Sequence, residues 1–216
     1  MKHEAADSLI KRIFQPHVLV CFAAMLAFQC LAFYGTRPFL PHLPSYRLDL
    51  PLDAMIPFVP EWVSVYCLAF ASWAFSAVII LAQGKEHALR FTGAYGLALA
   101  VSAVIFLCWP LTMERPEITG GGLLRDLLRG IYAADQPNNL FPSLHVLASY
   151  FCWRGLWGCA RIPKWFKAFN FVFLVLVCFS VVLVKQHLTI DIPGGVIVGE
   201  ASLQAARGFR FKQKSV

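Results

Sequence analysis

Charged residues are scarce in this chain of 216 residues, where they make up only 14% of positions while hydrophobic residues make up 58%. A soluble domain carries roughly 25% charged residues, so the composition argues against an ordinary soluble protein. The charges fall in gaps between long apolar runs, which is typical of polytopic membrane proteins. These runs leave no room for a separate soluble domain, and residues 1–216 are predicted to form one membrane-embedded domain.

Paired cysteine motifs are also lacking, because none of the seven cysteines has CxxC spacing. The cysteines lie in or beside apolar runs, so neither a zinc site nor a disulfide framework is supported, and no cofactor is expected. The net charge of +7 does not indicate nucleic acid, because membrane proteins collect Lys and Arg on their cytoplasmic side. The first apolar run lacks a small-residue cleavage site and is expected to be a retained anchor.

Six apolar segments have about the length that a helix needs to cross ~30 Å of hydrocarbon. They cover residues 18–34, 62–82, 88–109, 141–158, 165–184 and 190–206. We therefore predict an all-α fold, a bundle of six transmembrane helices. The sixth segment contains Glu200 and Gln204 and is expected to pack within the bundle. Close helix contacts there are predicted from its small residues Gly194, Gly195 and Gly199.

The basic residues predict an orientation for this bundle. If both termini lie on one side, that side receives 13 Lys and Arg residues and the other side receives 6. The positive-inside rule then puts both termini in the cytoplasm. The longer loops, at about residues 35–61 and 110–140, face outward. We expect a multi-pass protein of the cell (inner) membrane.

The segment between the last two spans, residues 185–191, carries ionisable side chains that are costly beside hydrocarbon and therefore functional candidates. His187 and Asp191 are four residues apart, and they would share one face if the sixth helix starts near Lys185. The carboxylate would fix the tautomer of the imidazole and leave its other nitrogen free to attack phosphorus. A buried His–Asp pair with a packing role is the alternative.

A second polar segment, residues 138–145, heads the fourth span. Pro142 at the first helical position would start a helix whose free N–H groups favour an anion. Ser143 would add a hydroxyl donor, and His145 would protonate a leaving alkoxide as general acid. His145, His187 and Asp191 are also zinc-ligand types, but nearby cations would repel a metal dication, which favours a metal-independent site.

Three arginines and a lysine are candidate phosphate or headgroup contacts. Arg115 can grip two phosphate oxygens, although pairing with Glu114 or Glu117 is the alternative. Lys185 would add a point charge that stabilises a phosphoryl transition state. Leucines at helical spacing over residues 123–129 predict a short amphipathic helix at the interface. Its Arg125 and Arg129 would either snorkel to lipid headgroups or contact the phosphate of a lipid substrate.

These motifs follow one another in a recognisable order. Arg115-Pro116, then Pro142-Ser143-x-His145, then His187-x-x-x-Asp191, across six spans, resemble the type 2 phosphatidic acid phosphatase superfamily. The resemblance covers about residues 52–199. Asn139-Leu140-Phe141-Pro142-Ser143-Leu144-His145 and Lys185-Gln186-His187 are most similar to its branch that includes inositol phosphorylceramide synthases.

The resemblance implies a role for each matching residue. His187 would be the nucleophile with Asp191 as its orienter, and His145 would be the general acid. Phosphate binding would come from Arg115, Ser143 and Lys185, without a metal. The chain departs from the family pattern at three positions, where Cys108 replaces a lysine, Leu144 a glycine and Val181 an arginine. Lys185 is inferred to replace one of the two missing cations.

Together these features predict a membrane lipid phosphatase that removes phosphate from a lipid phosphate or diphosphate at the outer, periplasmic face. The reaction would pass through a phosphohistidine. One alternative is a lipid phosphotransferase, which uses the same intermediate with an alcohol acceptor. A second is a non-catalytic lipid-binding or transport protein. The expected partners are the bilayer and a lipid phosphate, whereas the individual lipid and the oligomeric state stay open.

Overall fold

The computed structural model describes residues 10–208, and helix accounts for 69% of the structure and strand for 2%. The helices are α1 Pro16–Tyr34, α2 Pro51–Met55, α3 Val63–Leu81, α4 Lys85–Cys108, α5 Leu123–Ala134, α6 Leu144–Arg154, α7 Lys164–Leu183 and α8 Asp191–Arg207. Short 3₁₀ turns cover Leu40–His42 and Pro60–Trp62. A small departure from the predicted all-α fold is the parallel pairing of β1 Tyr46–Arg47 with β2 Leu111–Thr112.

Within the described part of the chain, four helices are long and apolar enough to cross a membrane, which indicates a membrane protein. They are Pro16–Tyr34, Pro60–Leu81, Lys85–Cys108 and Lys164–Leu183, with mean hydropathies between 1.9 and 2.4. The other two predicted spans correspond to shorter helices, because α6 has 11 residues and α8 has 17. At 1.5 Å per residue, α6 is only about 16 Å long.

The predicted bounds of α6 are wrong at both ends. The helix begins at Leu144 because Ser143 is its N-cap, and the Ser143 hydroxyl accepts from the N–H of Val146 at 3.3 Å. Pro142 therefore precedes the cap and is not the first helical residue. After Arg154 the chain leaves the helix for a turn that contains Gly158, whose φ of 77° lies in the left-handed region that favours glycine.

Helix α8 packs closely against α6, as its small residues predict. A Cβ added to Gly195 would lie 2.7 Å from the carbonyl oxygen of Ser143, so a side chain at this position would force the helices apart. Glu200 of α8 accepts hydrogen bonds from Arg154 at 2.9 Å and from Tyr150 at 2.6 Å, both on α6. The carboxylate thus faces a cation of the neighbouring helix within the bundle, which offsets the cost of its burial.

The loops before α3, α5, α6 and α8 gather at one end of the bundle, which we call the cavity end. Contacts between distant segments hold them together. The N–H of Ser143 donates to the carbonyl of Asp191 at 3.2 Å, and Arg47 pairs with Glu114 at 2.5 Å. Four of the basic residues that were counted for the predicted orientation lie outside the described residues, namely Lys2, Arg210, Lys212 and Lys214.

The amphipathic helix predicted over residues 123–129 is present and longer, because α5 continues to Ala134. Its apolar side faces the protein, where Leu128 is fully buried against residues of α3 and α6. The hydroxyl of Tyr132 donates to the carbonyl of Val184 at 2.6 Å and ties α5 to the end of α7. Helix α5 therefore covers part of the cavity end and places its C-terminus beside the two histidine segments.

Candidate active site

A cavity of about 550 Å³ lies at the cavity end, within the size range of small-molecule sites. Its walls come from α1, α3, α5, the start of α6 and the turn before α8. The polar side chains that line it are Gln29, Arg37, Arg115, Asp135, Asn139, His145, Gln186 and His187. The larger apolar and aromatic ones are Phe33, Tyr34, Tyr66, Phe70, Trp73, Leu127, Ile131, Leu140 and Leu144. The cavity therefore offers a polar region beside an extended apolar wall.

His187 and Asp191 form the contact expected from their spacing. The Nδ1 atom of His187 lies 3.1 Å from Oδ2 of Asp191, whose side chain is completely buried. The same oxygen accepts from the N–H of Leu188 at 2.9 Å. Because a carboxylate is an acceptor, it holds the proton on Nδ1 and leaves Nε2 without one. Nε2 is therefore the ring nitrogen whose lone pair is free, as the predicted role of His187 requires.

The premise that His187 and Asp191 lie on one helix is wrong. Helix α8 begins only at Asp191, and His187 belongs to the turn after α7. In that turn the N–H of Lys185 donates to the carbonyl of Val182, and that of Gln186 donates to the carbonyl of Val181. This is the Schellman pattern, in which Lys185 takes the left-handed position with a φ of 49°. The turn directs the next two residues back over the end of α7.

The structure places the ammonium of Lys185 on protein carbonyls, outside the cavity. Its Nζ donates to the carbonyls of Asp53 at 2.9 Å and Ile56 at 2.7 Å. The carboxylate of Asp53 also accepts from the N–H of Thr189 at 2.7 Å. Burial lowers the pKa of Lys185. These bonds tether the His187 turn to α2, and the phosphate contact of Lys185 stays a prediction.

His145 is the second residue of α6 and lines the cavity opposite His187, with ring centroids 6.0 Å apart. Its ring stacks on Tyr66 at 4.1 Å and contacts Trp73 and Phe70. The Nε2 atom of His145 is buried and has no hydrogen-bond partner among the described residues. The aromatic wall thus fixes the ring.

Ser143 is fully buried and serves the backbone of the site. Its hydroxyl caps α6, and its N–H bonds the carbonyl of Asp191. This bond joins the segment of His145 to that of His187. Ser143 is not among the residues that line the cavity, so its predicted hydroxyl contact to phosphate stays a prediction.

Arg115 lines the cavity and pairs with neither Glu114 nor Glu117. Its guanidinium donates to the carbonyl of Asp135 and to the side-chain oxygen of Gln186, and it lies over the ring of Tyr132 at 4.6 Å. Burial lowers the pKa of Arg115, but a guanidinium stays charged at any physiological pH. The Nε of Arg115 has no hydrogen-bond partner within residues 10–208.

Two amides that the sequence analysis did not single out complete this polar region. Gln186 is 2% exposed and Asn139 is 7% exposed, and their Nε2 and Nδ2 atoms have no partner among the described residues. An unpaired buried donor costs about 1–3 kcal/mol. Both amides belong to residues that line the cavity. The sequence signal that could have identified these amides was their position within the two histidine segments, residues 138–145 and 185–191.

A second arginine also lines the cavity and was not predicted. Nη2 of Arg37 lies 3.6 Å from Oδ1 of Asp135 and donates to the carbonyl of Ala134 at 2.6 Å. Its guanidinium lies 5.1 Å from the centroid of Phe33. Burial raises the pKa of Asp135, although the arginines and His187 act against it. Loop residues such as these carry no periodicity that would reveal them.

Arg125 and Arg129 lie outside the cavity. Arg125 pairs with Glu61 at 2.8 Å, and Arg129 pairs with Asp126 and donates to the carbonyls of Ile118 and Gly120. Both guanidiniums thus brace α5 against neighbouring loops. Their proposed contacts with lipid headgroups stay predictions.

Within residues 10–208, no group of three His, Cys, Asp or Glu side chains is arranged to hold a metal ion. Asp191 lies behind His187 and does not line the cavity with the two histidines. What the cavity does combine is a carboxylate-held imidazole, a second imidazole, two arginines and two free amides. No protein-family model, curated protein or solved structure matches this chain.

Proposed function

We propose that the protein is a membrane lipid phosphatase that works through a phosphohistidine at His187. The observation that carries the proposal is the His187–Asp191 pair, joined at 3.1 Å, on a cavity that also contains Arg115 and His145. A neutral imidazole nucleophile beside a fixed guanidinium suits attack on phosphorus, because the charge on the phosphoryl oxygens needs donors. The apolar walls suit the hydrocarbon part of a lipid.

The reaction follows from the positions of these groups. Nε2 of His187 attacks the phosphorus, and the bond from phosphorus to the lipid oxygen breaks. The leaving alkoxide takes a proton from His145, while Asp191 stabilises the ring of His187 as it becomes cationic. Water then gives a proton to His145 and attacks the phosphohistidine. The bond between phosphorus and nitrogen breaks, and free phosphate leaves.

The membrane arrangement is part of the proposal. The two shorter helices, α6 and α8, would complete a six-helix bundle with both termini in the cytoplasm and the cavity end on the outer face. Support comes from the basic residues that lie at the other end of the bundle in the described part of the chain. These are Lys11, Arg12, Lys85, Arg90, Arg154, Arg161, Lys164, Lys167 and Arg207.

Cysteine labelling in intact cells tests this orientation. Thr119 and Ala160 are exposed at opposite ends of the bundle. In a chain whose exposed Cys30 and Cys108 are replaced by alanine, an impermeant thiol reagent is expected to label Thr119→Cys and to spare Ala160→Cys. The opposite labelling would reverse the orientation.

A phosphate-release screen tests the activity. Purified protein would be offered phosphatidate, phosphatidylglycerophosphate, a polyprenyl diphosphate and a lipid A-type phosphate, with and without a chelator. We expect release from at least one lipid, no loss with the chelator, and none from His187→Ala. Release that persists in folded His187→Ala would refute the phosphohistidine, and no release from any lipid would favour the non-catalytic alternative.

The same preparation distinguishes water from an alcohol as the final acceptor. Adding inositol or a second lipid alcohol during turnover would divert the phosphoryl group into a new ester if the protein is a phosphotransferase. Free phosphate as the sole product supports the phosphatase.

A further inference from the structure

The C-terminus of α5 holds two arginines from distant parts of the chain. Arg37 donates to the carbonyl of Ala134, and Arg115 donates to the carbonyl of the next residue, Asp135. Carbonyls at a helix C-terminus lack partners within the helix and carry partial negative charge, so they attract guanidiniums. Neighbouring carbonyls thus bring both cations to one wall of the cavity.

Both guanidiniums keep donors that no described residue satisfies. Arg37 makes a single hydrogen bond, and its contact with the Asp135 carboxylate, at 3.6 Å, is longer than a hydrogen bond. Arg115 uses both Nη atoms but leaves its buried Nε free. Both arginines line the same cavity as His187, and the free N–H groups of Arg37 suit the several oxygens of one phosphate group.

Asp135 is the only carboxylate that lines this cavity among the described residues, and it is poorly satisfied. Its Oδ1 is buried, has no hydrogen-bond donor and faces Arg37 only from a distance. A carboxylate without full hydrogen bonding is a weak partner for two arginines. An incoming phosphate, with more oxygens and more charge, would compete with it successfully.

We propose that Arg37 and Arg115 form a clamp for a doubly charged phosphate monoester, and that Asp135 holds Arg37 in place until this anion binds. The clamp rests on the proposed function, because the anion that it binds is the phosphate group of the lipid substrate. A monoester has three terminal oxygens and close to two charges above its second pKa of about 6. A phosphodiester has two terminal oxygens and one charge.

This difference sets the chemical class of the substrate. Two guanidinium charges and the free N–H groups of Arg37 match the third terminal oxygen and the second charge of a monoester, which a diester lacks. A monoester also leaves its attacked phosphorus bonded to one lipid oxygen only, which is the bond that the phosphatase reaction breaks. The clamp therefore favours lipid monophosphates, or the terminal phosphate of a diphosphate. It disfavours phosphodiesters, such as the one that joins inositol to a lipid.

Direct binding of small anions tests the clamp without any turnover. Inorganic phosphate at pH 8 represents the monoester, and dimethyl phosphate represents the diester. Their affinities would be measured by calorimetry on detergent-purified protein. The variants are Arg37→Gln, Arg37→Lys and Asp135→Asn. The matched controls are Arg90→Gln and Asp49→Asn, which remove exposed charges outside the cavity.

We expect wild-type protein to bind phosphate at least about tenfold more tightly than dimethyl phosphate, since the monoester analogue can accept an additional charge-assisted hydrogen bond. Arg37→Gln is expected to weaken phosphate binding by about tenfold and to spare dimethyl phosphate. Arg37→Lys keeps the charge without the fork and should give a smaller loss. Asp135→Asn should tighten phosphate binding, because the competing carboxylate is gone. The control variants should match the wild type.

Other outcomes separate this inference from the proposed function. Unchanged phosphate affinity in folded Arg37→Gln or Arg37→Lys would overturn the clamp, as would equal affinity of wild type for the two anions, or no binding. Phosphate release from lipids would still support the phosphatase in each case. If the anions bind as expected but no lipid is hydrolysed, the clamp stands and the proposed function fails.

Discussion

Replacing Asp191 with asparagine tests whether this carboxylate prepares His187 for the proposed attack on phosphorus. Asparagine has the same shape as aspartate. Its carbonyl oxygen can still accept a hydrogen bond from the N–H of Leu188, which in the wild-type protein lies 2.9 Å from Oδ2 of Asp191. The substitution removes the negative charge beside Nδ1 of His187. Without that charge, the ring proton is no longer held on Nδ1. If the side-chain amide donates to Nδ1 instead, the proton moves to Nε2 and blocks the nucleophilic nitrogen.

The separation of the two groups sets the expected loss. As Nε2 bonds to phosphorus the ring becomes cationic, and the carboxylate oxygen lies 3.1 Å from Nδ1. With an effective dielectric constant of about 20, unit charges at this distance attract by about 5 kcal/mol. Each 1.4 kcal/mol corresponds to about tenfold in rate, so Asp191→Asn should slow phosphate release by about 10³- to 10⁴-fold.

The assay would combine phosphate release with trapping of the intermediate. Radiolabelled lipid phosphate, quenched in alkali where phosphohistidine survives, should label the wild-type protein and leave Asp191→Asn nearly unlabelled. Asp126→Asn removes an exposed carboxylate of α5 and is the matched control, expected to keep the wild-type rate. If Asp191→Asn stays folded, as judged by its melting temperature, and retains more than a tenth of the rate, this account of His187 is wrong.

Three further substitutions have distinct expected outcomes. His145→Gln should slow release from lipids by about 10²- to 10⁴-fold but release from p-nitrophenyl phosphate much less, because that leaving group needs no proton; equal losses would contradict a general acid. Gly195→Ala puts a Cβ 2.7 Å from the Ser143 carbonyl oxygen and should destabilise by about 1–3 kcal/mol in chemical denaturation, whereas Gly93→Ala, with nothing within 4 Å, should not. Lys185→Met should lower the melting temperature yet leave phosphate affinity within about twofold of the wild type, since its ammonium bonds carbonyls; a tenfold weaker affinity would restore its predicted phosphate contact.

The long helices were predictable because their signal is local. The expected span of residues 165–184 differs by one residue at each end from α7, Lys164–Leu183. An uninterrupted apolar run of this length has few other ways to satisfy its backbone in lipid. The start of α6 was missed although Ser143 is a residue type that favours the N-cap position. Pro142 was expected at the first helical position, a place that proline favours, although Ser143 is the residue that caps the helix.

The site was predictable only where its residues are close in sequence. His187 and Asp191 are four apart, and their contact formed even though the helix assumed between them did not. Arg37 and Ala134 are 97 positions apart, and their hydrogen bond depends on how an irregular loop packs against the end of α5. The loop that carries Arg37 has no hydrophobic period that encodes this packing. The carbonyl partners of Lys185 could not be predicted for the same reason, since they lie in and just after α2, more than a hundred residues away.

The backbone bond between Ser143 and Asp191 has a consequence for how this protein can change. It joins the segments that carry the two histidines, whereas Leu127 and Ile131 on the apolar wall belong to α5. The residues of the proposed phosphoryl transfer and this part of the wall therefore lie in separate parts of the chain. We expect that substitutions confined to Leu127 and Ile131 would change the lipid preference and leave the proposed phosphoryl-transfer step unaltered.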